Sequence, residues 1–319
     1  MKEFIIAACD DGKKLDKWLI REMPTVGMGM RQKLFRNKCF KLNGKHVKSD
    51  ARLFKGDVLQ IYASDACFEK PRREDPFLSK IRPNLSILYE DEQLMIVDKR
   101  PGLMAHPDAN EKVNTLITHA QAYLYQKGEY EPGNFAPALC NRIDRFTGGI
   151  ELIAKTQEAM KVLNQKIRDR EIEKYYYCIV LGSLTHREGI LDNYIVKSPE
   201  MKKVSVSPRM VPGGQRAQTK YRVLAYNDGL SLVECELLTG RTHQIRAQMA
   251  HAGHPLLGDN QYGDRRRNEK YGRSFQALYA YKLKFAFSSE AGTLNDLKGM
   301  EFTVPDVRFI HEYFPEYRR

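Results

Sequence analysis

No apolar run in this chain approaches the roughly 18 residues of a membrane-spanning helix. The six cysteines, Cys9, Cys39, Cys67, Cys140, Cys178 and Cys235, form no CxxC pair, and each falls in or near an apolar segment. That spacing excludes a disulfide or metal-ligand framework and reads as buried thiols of a reducing compartment. The start, Met1-Lys2-Glu3-Phe4-Ile5-Ile6, has no signal-peptide h-region and reads as a first strand, so a cytoplasmic protein is expected. His106, His243, His251 and His254, with Cys235 near, show neither HExxH nor finger spacing; no metal is expected, and His243 reads as a local cap or hydrogen-bonding group. No Gly-rich nucleotide loop follows a strand, which removes support for a methyltransferase. Internal repeats and low-complexity tracts are absent too.

What is present suits a soluble protein of about two domains: 319 residues, 42% hydrophobic and 29% charged. The net charge of +12 is uneven. Residues 1–83 carry 19 Lys+Arg against 11 Asp+Glu, a net of +8; residues 84–319 carry 33 against 29, a net of +4. A basic front segment is suited to a polyanion. No amphipathic helix with a bulky apolar face accompanies the charge, so nucleic acid is the expected partner rather than a membrane.

Within that segment, Leu15, Trp18, Leu19 and Met23 fall at helical spacing and predict a helix over residues 13–23. Gly27 and Gly29 interrupt. A second helix is predicted over Met30–Lys38, with Leu34 inward and Arg31, Lys33, Arg36 and Lys38 supplying positive charge. In Phe40-Lys41-Leu42-Asn43-Gly44-Lys45-His46-Val47, Asn-Gly between alternating residues signals a tight hairpin. Another turn at Lys55-Gly56-Asp57 leads into a strand, Val58–Tyr62. This arrangement resembles the alpha-L RNA-binding module, the type seen in a small-subunit ribosomal protein. The matching residues are Leu15-Asp16-Lys17-Trp18-Leu19, Asn43-Gly44-Lys45 with Val47-Lys48, and Lys55-Gly56-Asp57-Val58-Leu59; Gly27-Met28-Gly29-Met30-Arg31 departs from the usual Ser/Arg-rich pattern. By their charge, Lys33, Arg36 and Lys38 are the expected RNA-binding residues of this module.

Residues 66–84, with Pro71, Pro76 and Pro83 among charges, read as a linker between the module at 1–65 and a second domain at 85–319. Predicted strands there are Leu85–Tyr89, Leu94–Asp98, Ile150–Ala154 (alternating like a half-buried strand), Tyr176–Leu181, Tyr221–Ala225 and Ser231–Leu238. A helix, Gln157–Arg170, follows a Thr156 cap, with Met160, Leu163 and Ile167 on one face. The expected fold class is α+β: a largely antiparallel mixed sheet with flanking helices, preceded by the small α/β module.

Asn141-Arg142-Ile143-Asp144-Arg145-Phe146-Thr147-Gly148-Gly149 puts one carboxylate between two arginines and ends on a Gly pair. An acid so placed, in a tight turn entering a strand, is favoured in its charged form and suits catalysis; the plainer reading is an Asp bracing a turn. Two further segments accompany it: Ile96-Val97-Asp98-Lys99-Arg100-Pro101-Gly102-Leu103 to His106-Pro107, and Leu238-Thr239-Gly240-Arg241-Thr242-His243-Gln244-Ile245-Arg246 continuing to His254-Pro255-Leu256-Leu257-Gly258-Asp259. Together, over about residues 85–285, they resemble the RluA family of pseudouridine synthases, which isomerise uridines in structural RNA. Asn141, Ile143 and Gly148 stand where that family often has His, Leu and Ser.

The resemblance implies that Asp144 is the essential carboxylate, acting as nucleophile or as base toward the ribose. In Glu173-Lys174-Tyr175-Tyr176-Tyr177-Cys178 the family pattern of Lys followed two residues later by Tyr selects Tyr176, whose ring would stack on a flipped uracil and whose hydroxyl would help remove the carbon 5 proton. Strand alternation turns Tyr175 and Tyr177 the other way. Segment 242–252 predicts a helix with Thr242 as N-cap, Ile245 and Met249 inward, and Gly253 then Pro255 as stops. By the family motif, Arg246 in its first turn pairs with Asp144. Arg241, in the preceding loop, is suited to gripping phosphate, as are Arg142 and Arg145 beside an extruded nucleotide. No cofactor is required, because nothing is exchanged in the isomerisation. Large-subunit (23S) ribosomal RNA is the first expected substrate and transfer RNA the second, with a monomer as the default state. The rival is a non-catalytic RNA-binding assembly factor on the same scaffold.

Overall fold

In the computed structural model of the chain, Asn43 and Gly44 both adopt positive φ, 49° and 78°. This is the backbone of a two-residue hairpin turn whose twist matches that of its strands. The structure describes residues 1–68, 75–197 and 203–318, apart from the Cys9 side chain. It falls into two units, Met1–Glu74 and Asp75–Arg319.

In the first unit, β1 (Lys2–Ile5), β2 (Phe40–Leu42), β3 (Lys45–His46) and β4 (Val58–Ile61) form a four-stranded antiparallel sheet in the order β1-β4-β2-β3. The Asn43 side chain reinforces the hairpin, accepting from Val58 N and donating to Asp57 Oδ1, both at 2.8 Å. Helix α1 (Leu15–Glu22) buries Leu15, Trp18 and Leu19 against the sheet, with Met23 just beyond its end. Asp10 is buried beside it and accepts from Lys13, Trp18 and both outer nitrogens of Arg21. These partners hold its carboxyl well below the usual range, Arg21 being the chief cause. Helix α2 runs Met28–Arg36, so Gly29 lies inside it rather than interrupting. Leu34 packs on the core, while Lys33, Arg36 and Lys38 are exposed and make no ion pair among the described residues.

The segment expected as a linker carries more structure than that. Residues 65–68 form a 3-10 turn, 69–74 lie outside the described residues, and α3 (Pro76–Lys80) is capped by Asp75.

In the second unit α3 packs on α4 (Leu116–Lys127). Its sheet contains β5 (Ile87–Glu90), β6 (Leu94–Lys99), β7 (Ala138–Leu139), β8 (Gly148–Ala154), β9 (Ile172–Leu181), β10 (Glu188–Lys197), β11 (Val204–Ser207), β12 (Gln215–Asn227), β13 (Leu230–Leu237), β14 (Leu278–Phe285) and β15 (Glu301–Thr303). The order is β11-β10-β12-β13-β9-β14-β8-β6-β5, with β15 on β14 and β7 on β8. Every pairing is antiparallel except β8 with β14. The fold is α+β on a largely antiparallel sheet, as the strand-rich sequence implies.

Period-two alternation along β9 sends Tyr176, Cys178 and Val180 to one face and Tyr177, Ile179 and Leu181 to the other. The first set packs under α6 (Gln244–His251), the second under α8 (Arg308–Tyr313). Helix α5 (Gln157–Arg168), capped by Thr156 Oγ1, covers Leu94, Ile96, Ile150 and Leu152. Beyond α6 lies the short α7 (Arg265–Lys270). Cys178 and Cys235 are buried free thiols, whereas Cys39, Cys67 and Cys140 are only half-buried, since each borders a loop or strand end.

Strand β8 corrects one expectation. All seven of its residues are buried, Glu151 included, so its polar-apolar alternation does not mark a solvent face. Its opening also explains the Gly pair. A Cβ on Gly149 (φ +116°) would lie 2.2 Å from Ala280 O, and one on Gly148 would lie 2.4 Å from the Tyr279 ring. Only bare backbone lets β8 run beside β14 here. Gly149→Ala is expected to destabilise the fold by roughly 2–5 kcal/mol through strain and overpacking. Thermal unfolding within a degree of wild type would refute this.

Candidate active site

Asp144 sits on the turn that delivers the chain into β8, near the middle of the large sheet. Two buried groups and the half-buried Asn141 shape that turn. Lys99, at the end of β6, is fully buried, and its Nζ donates to the carbonyls of Leu103 (3.0 Å), Arg145 (3.1 Å) and Thr147 (2.7 Å). Glu151 Oε1 accepts from Ile143 N at 3.2 Å, and its Oε2 is buried with no partner among the described residues. Burial pushes the Lys99 ammonium down and the Glu151 carboxyl up, and each charge partly offsets the other. Asn141 clips the turn to the strand, accepting from Leu152 N at 2.7 Å and donating to Ile150 O at 3.3 Å.

Arg246 reaches Asp144 from α6, in the first turn of that helix. Its Nη1 donates to Asp144 Oδ2 at 2.8 Å. The rest of the guanidinium is held from behind: Nε donates to Asp259 Oδ2 (2.7 Å), and Nη2 donates to Asp259 Oδ1 (3.1 Å) and Gln261 Oε1 (2.9 Å). Asp259 in turn accepts from the backbone of Gln261 and Tyr262. Burial opposes the Arg246 charge, but Asp259 and Asp144 outweigh it, and the net direction is upward. The Arg246 side chain is 7% exposed and that of Asp259 1%, whereas that of Asp144 is 29% exposed. The acid thus faces an open cleft while its orienting partner does not.

The start of α6 differs from the sequence expectation. His243, not Thr242, is the N-cap, with φ 53° and no side-chain cap bond. The anchoring falls to Gln244: its Oε1 accepts from Arg241 N and Thr239 Oγ1, and its Nε2 donates to Gln218 O and Thr219 Oγ1. His243 makes a local contact, Nδ1 to Tyr262 OH at 2.9 Å, with Nε2 3.7 Å from Asp144 Oδ1. Burial pushes its pKa down, which favours the neutral ring. Ile245 and Met249 point inward, and Gly253 ends the helix region with φ +88°.

The cleft has a volume of about 980 Å³, and Asp144, Tyr176 and Arg246 all line it. Tyr176 is buried on β9, and burial, then the Asp144 and Glu151 carboxylates, push its hydroxyl pKa up. It therefore stays a neutral phenol near neutral pH. Six cations line the cleft (Arg142, Arg168, Arg170, Lys174, Arg241 and Arg246) against three acids, Asp144, Glu173 and Glu236. That balance favours a polyanion. Arg142 is exposed at the cleft wall, and half-buried Arg241 is steadied by its Nε donating to Arg216 O at 3.1 Å. Arg145 does not line the cleft; its Nε donates to Gly102 O at 3.1 Å. Lys33, Arg36 and Lys38 belong to the first unit.

Sequence reasoning assigned no role to Lys99, Glu151, Asp259, Gln244, Arg168 or Arg170. A signal existed for one of them. Glu151 is the single charge in the apolar stretch Gly148–Ala154, where an unpaired charge would be costly.

A partly exposed acid, gripped by a buried guanidinium on the wall of a basic cleft, is an arrangement suited to a nucleophile or base acting on a polyanion. Residues 93–251 match the family model described as RNA pseudouridylate synthase. Ribosomal large subunit pseudouridine synthase C of Vibrio cholerae is 30% identical over 259 residues, covering 80% of this chain and 78% of that one. An uncharacterized RNA pseudouridine synthase of Bacillus subtilis, YjbO, is 33% identical over 249 residues, covering 76% of this chain and 80% of that one. The solved structure of human RNA pseudouridylate synthase domain containing 4 shares the fold, with a TM-score of 0.56 and 23% identity over 70% of this chain and 89% of that one. The chain belongs to the RluA-type RNA pseudouridine synthases, which are isomerases.

Proposed function

We propose that this chain isomerises uridine in large-subunit (23S) ribosomal RNA, with Asp144 as the essential carboxylate. The observation that carries this reading is the 2.8 Å bond from Arg246 to Asp144 within an open, cation-lined cleft. The relatives named for the ribosomal large subunit add a prior on the RNA.

The reaction breaks the bond between ribose carbon 1′ and uracil N1, turns the freed base, and joins carbon 1′ to carbon 5, whose proton then leaves. Asp144 faces the cleft with one oxygen held by Arg246, so the other is directed to the ribose as nucleophile or base. Tyr176 presents its ring to the extruded uracil. Being neutral, its hydroxyl accepts the carbon 5 proton only by passing its own to an acceptor. Arg142 and Arg241 hold the flanking phosphates, and Arg168 and Arg170 extend the same wall. A tritium-release assay with carbon 5-labelled uridine in transcribed RNA tests the activity. Release from ribosomal RNA but not transfer RNA is expected; the reverse would move the substrate, and release from neither would remove the assignment.

The first unit supplies general RNA capture in this reading, as an alpha-L type module spanning about residues 1–65. Its Lys33, Arg36 and Lys38, exposed and without an ion pair among the described residues, support this. Changing all three to Gln is expected to weaken RNA binding and reduce the slope of log affinity against log salt by about 2. An unchanged slope would place the phosphate contacts elsewhere.

A further inference from the structure

Two residues beyond Asp144, on the same turn, Phe146 stacks on Phe275 with ring centroids 3.8 Å apart and an interplanar angle of 13°. The Arg145 guanidinium lies 5.3 Å from the Phe146 centroid. Phe146 is half-buried, but Phe275 remains 49% exposed. A pair serving only to pack would bury both rings, because leaving one half in water forgoes about half the gain from its area.

The pair is also rigidly seated. Gln276, buried beside Phe275, donates to Thr147 Oγ1 at 3.3 Å. Arg145 and Gly102 exchange bonds in both directions, Gly102 N to Arg145 O at 2.8 Å and Arg145 Nε to Gly102 O at 3.1 Å. Arg273 Nε donates to Phe275 O at 3.0 Å, and Gly258 leaves so little room that a Cβ would lie 2.1 Å from that same oxygen. Asn268 of α7 ties in the same loop: its Oδ1 accepts from Gly258 N at 2.9 Å and its carbonyl from Arg273 N at 3.4 Å. Helix α7 carries Arg265, Arg266 and Arg267; Arg265 pairs with Glu269, and Arg266 and Arg267 form no ion pair among the described residues.

We propose that the exposed Phe275 ring, seated on Phe146 beside the Asp144 turn, with Arg145 over Phe146 and Arg273 bonded to the Phe275 carbonyl, is a stacking platform for an unpaired base of the substrate RNA adjacent to the modified uridine. The occupant is RNA because the stacked pair lies between Arg145 and Arg273 beside a turn that serves an RNA-modifying site. It is an unpaired base because a single exposed aromatic face recognises an unstacked π-surface, whatever its sequence. The inference rests on the reading that Asp144 acts on RNA, and adds a contact outside the reacting nucleotide.

Phe275→Leu keeps an apolar side chain but loses the flat face; Phe275→Trp keeps both. Steady-state kinetics and titration on transcribed large-subunit ribosomal RNA, across a salt series, form the test. Phe275→Leu is expected to raise KM and Kd roughly tenfold, with a smaller fall in kcat. The salt slope should not change, since no phosphate contact is lost. Phe275→Trp should restore binding. Leu binding within twofold of wild type overturns the proposal. So does a Trp variant as weak as Leu with thermal unfolding lowered in both, which would make the pair a brace for the turn. Wild-type protein that releases no tritium from the same RNA sinks the synthase assignment instead, and the titration still reports on the platform.

Discussion

Asp144→Asn is expected to bind transcribed RNA like wild type and to lose turnover by about a thousandfold or more, the scale for removing a nucleophile or base. The substitution keeps shape and one acceptor oxygen, so Arg246 still finds a partner at the turn. The turn itself is held by Lys99, Glu151 and Asn141, none of which touches the Asp144 side chain. Folding should therefore survive, and the loss should fall on kcat. Tritium release together with an RNA titration measures both. Turnover within tenfold of wild type would take the reaction away from Asp144.

Arg246→Lys should have the next largest effect, a fall in kcat of about a hundredfold with a smaller change in KM. Arg246 makes four hydrogen bonds to three side chains in a fixed plane: one to Asp144, two to Asp259 and one to Gln261. A lysine keeps the charge but has one nitrogen and no fork. It can follow Asp259, which is buried and cannot give up its counter-charge, or Asp144, which is open to the cleft. The buried acid wins, because an unpaired buried carboxylate costs several kcal/mol. Asp144 is then left unoriented, and a displacement of about 1 Å is enough for a loss of this size. A Lys variant with full turnover would show that the charge matters and the geometry does not.

The sequence made the acid and its partner visible, but not what holds them. Asp144 stands out as an acid between two arginines in a tight turn, whereas Arg246 is picked out by the family motif alone. Asp259 and Lys99 act through burial, and burial depends on strands that pair across long distances. Strand β14 escaped notice although it lies at the centre of the sheet, and so did β10, whose exposed alternation gave no core signal. Helix α4 is buried on most sides and shows no apolar stripe to read. Thr242 is a reasonable cap by residue type, yet the loop is locked by Gln244, two of whose four bonds reach Gln218 and Thr219 of β12. Local chemistry was legible at the turns, whereas the supports were set by tertiary contact.

The parallel seam of the large sheet, Gly148 and Gly149 of β8 against Tyr279 and Ala280 of β14, also sets an order of events during synthesis. The loop bearing the acid leaves the ribosome well over a hundred residues ahead of the strand that completes its seat. Pairing at such sequence separation forms late. A nascent polypeptide thus carries Asp144 through most of translation without its finished seat, which is complete only once β14 has emerged.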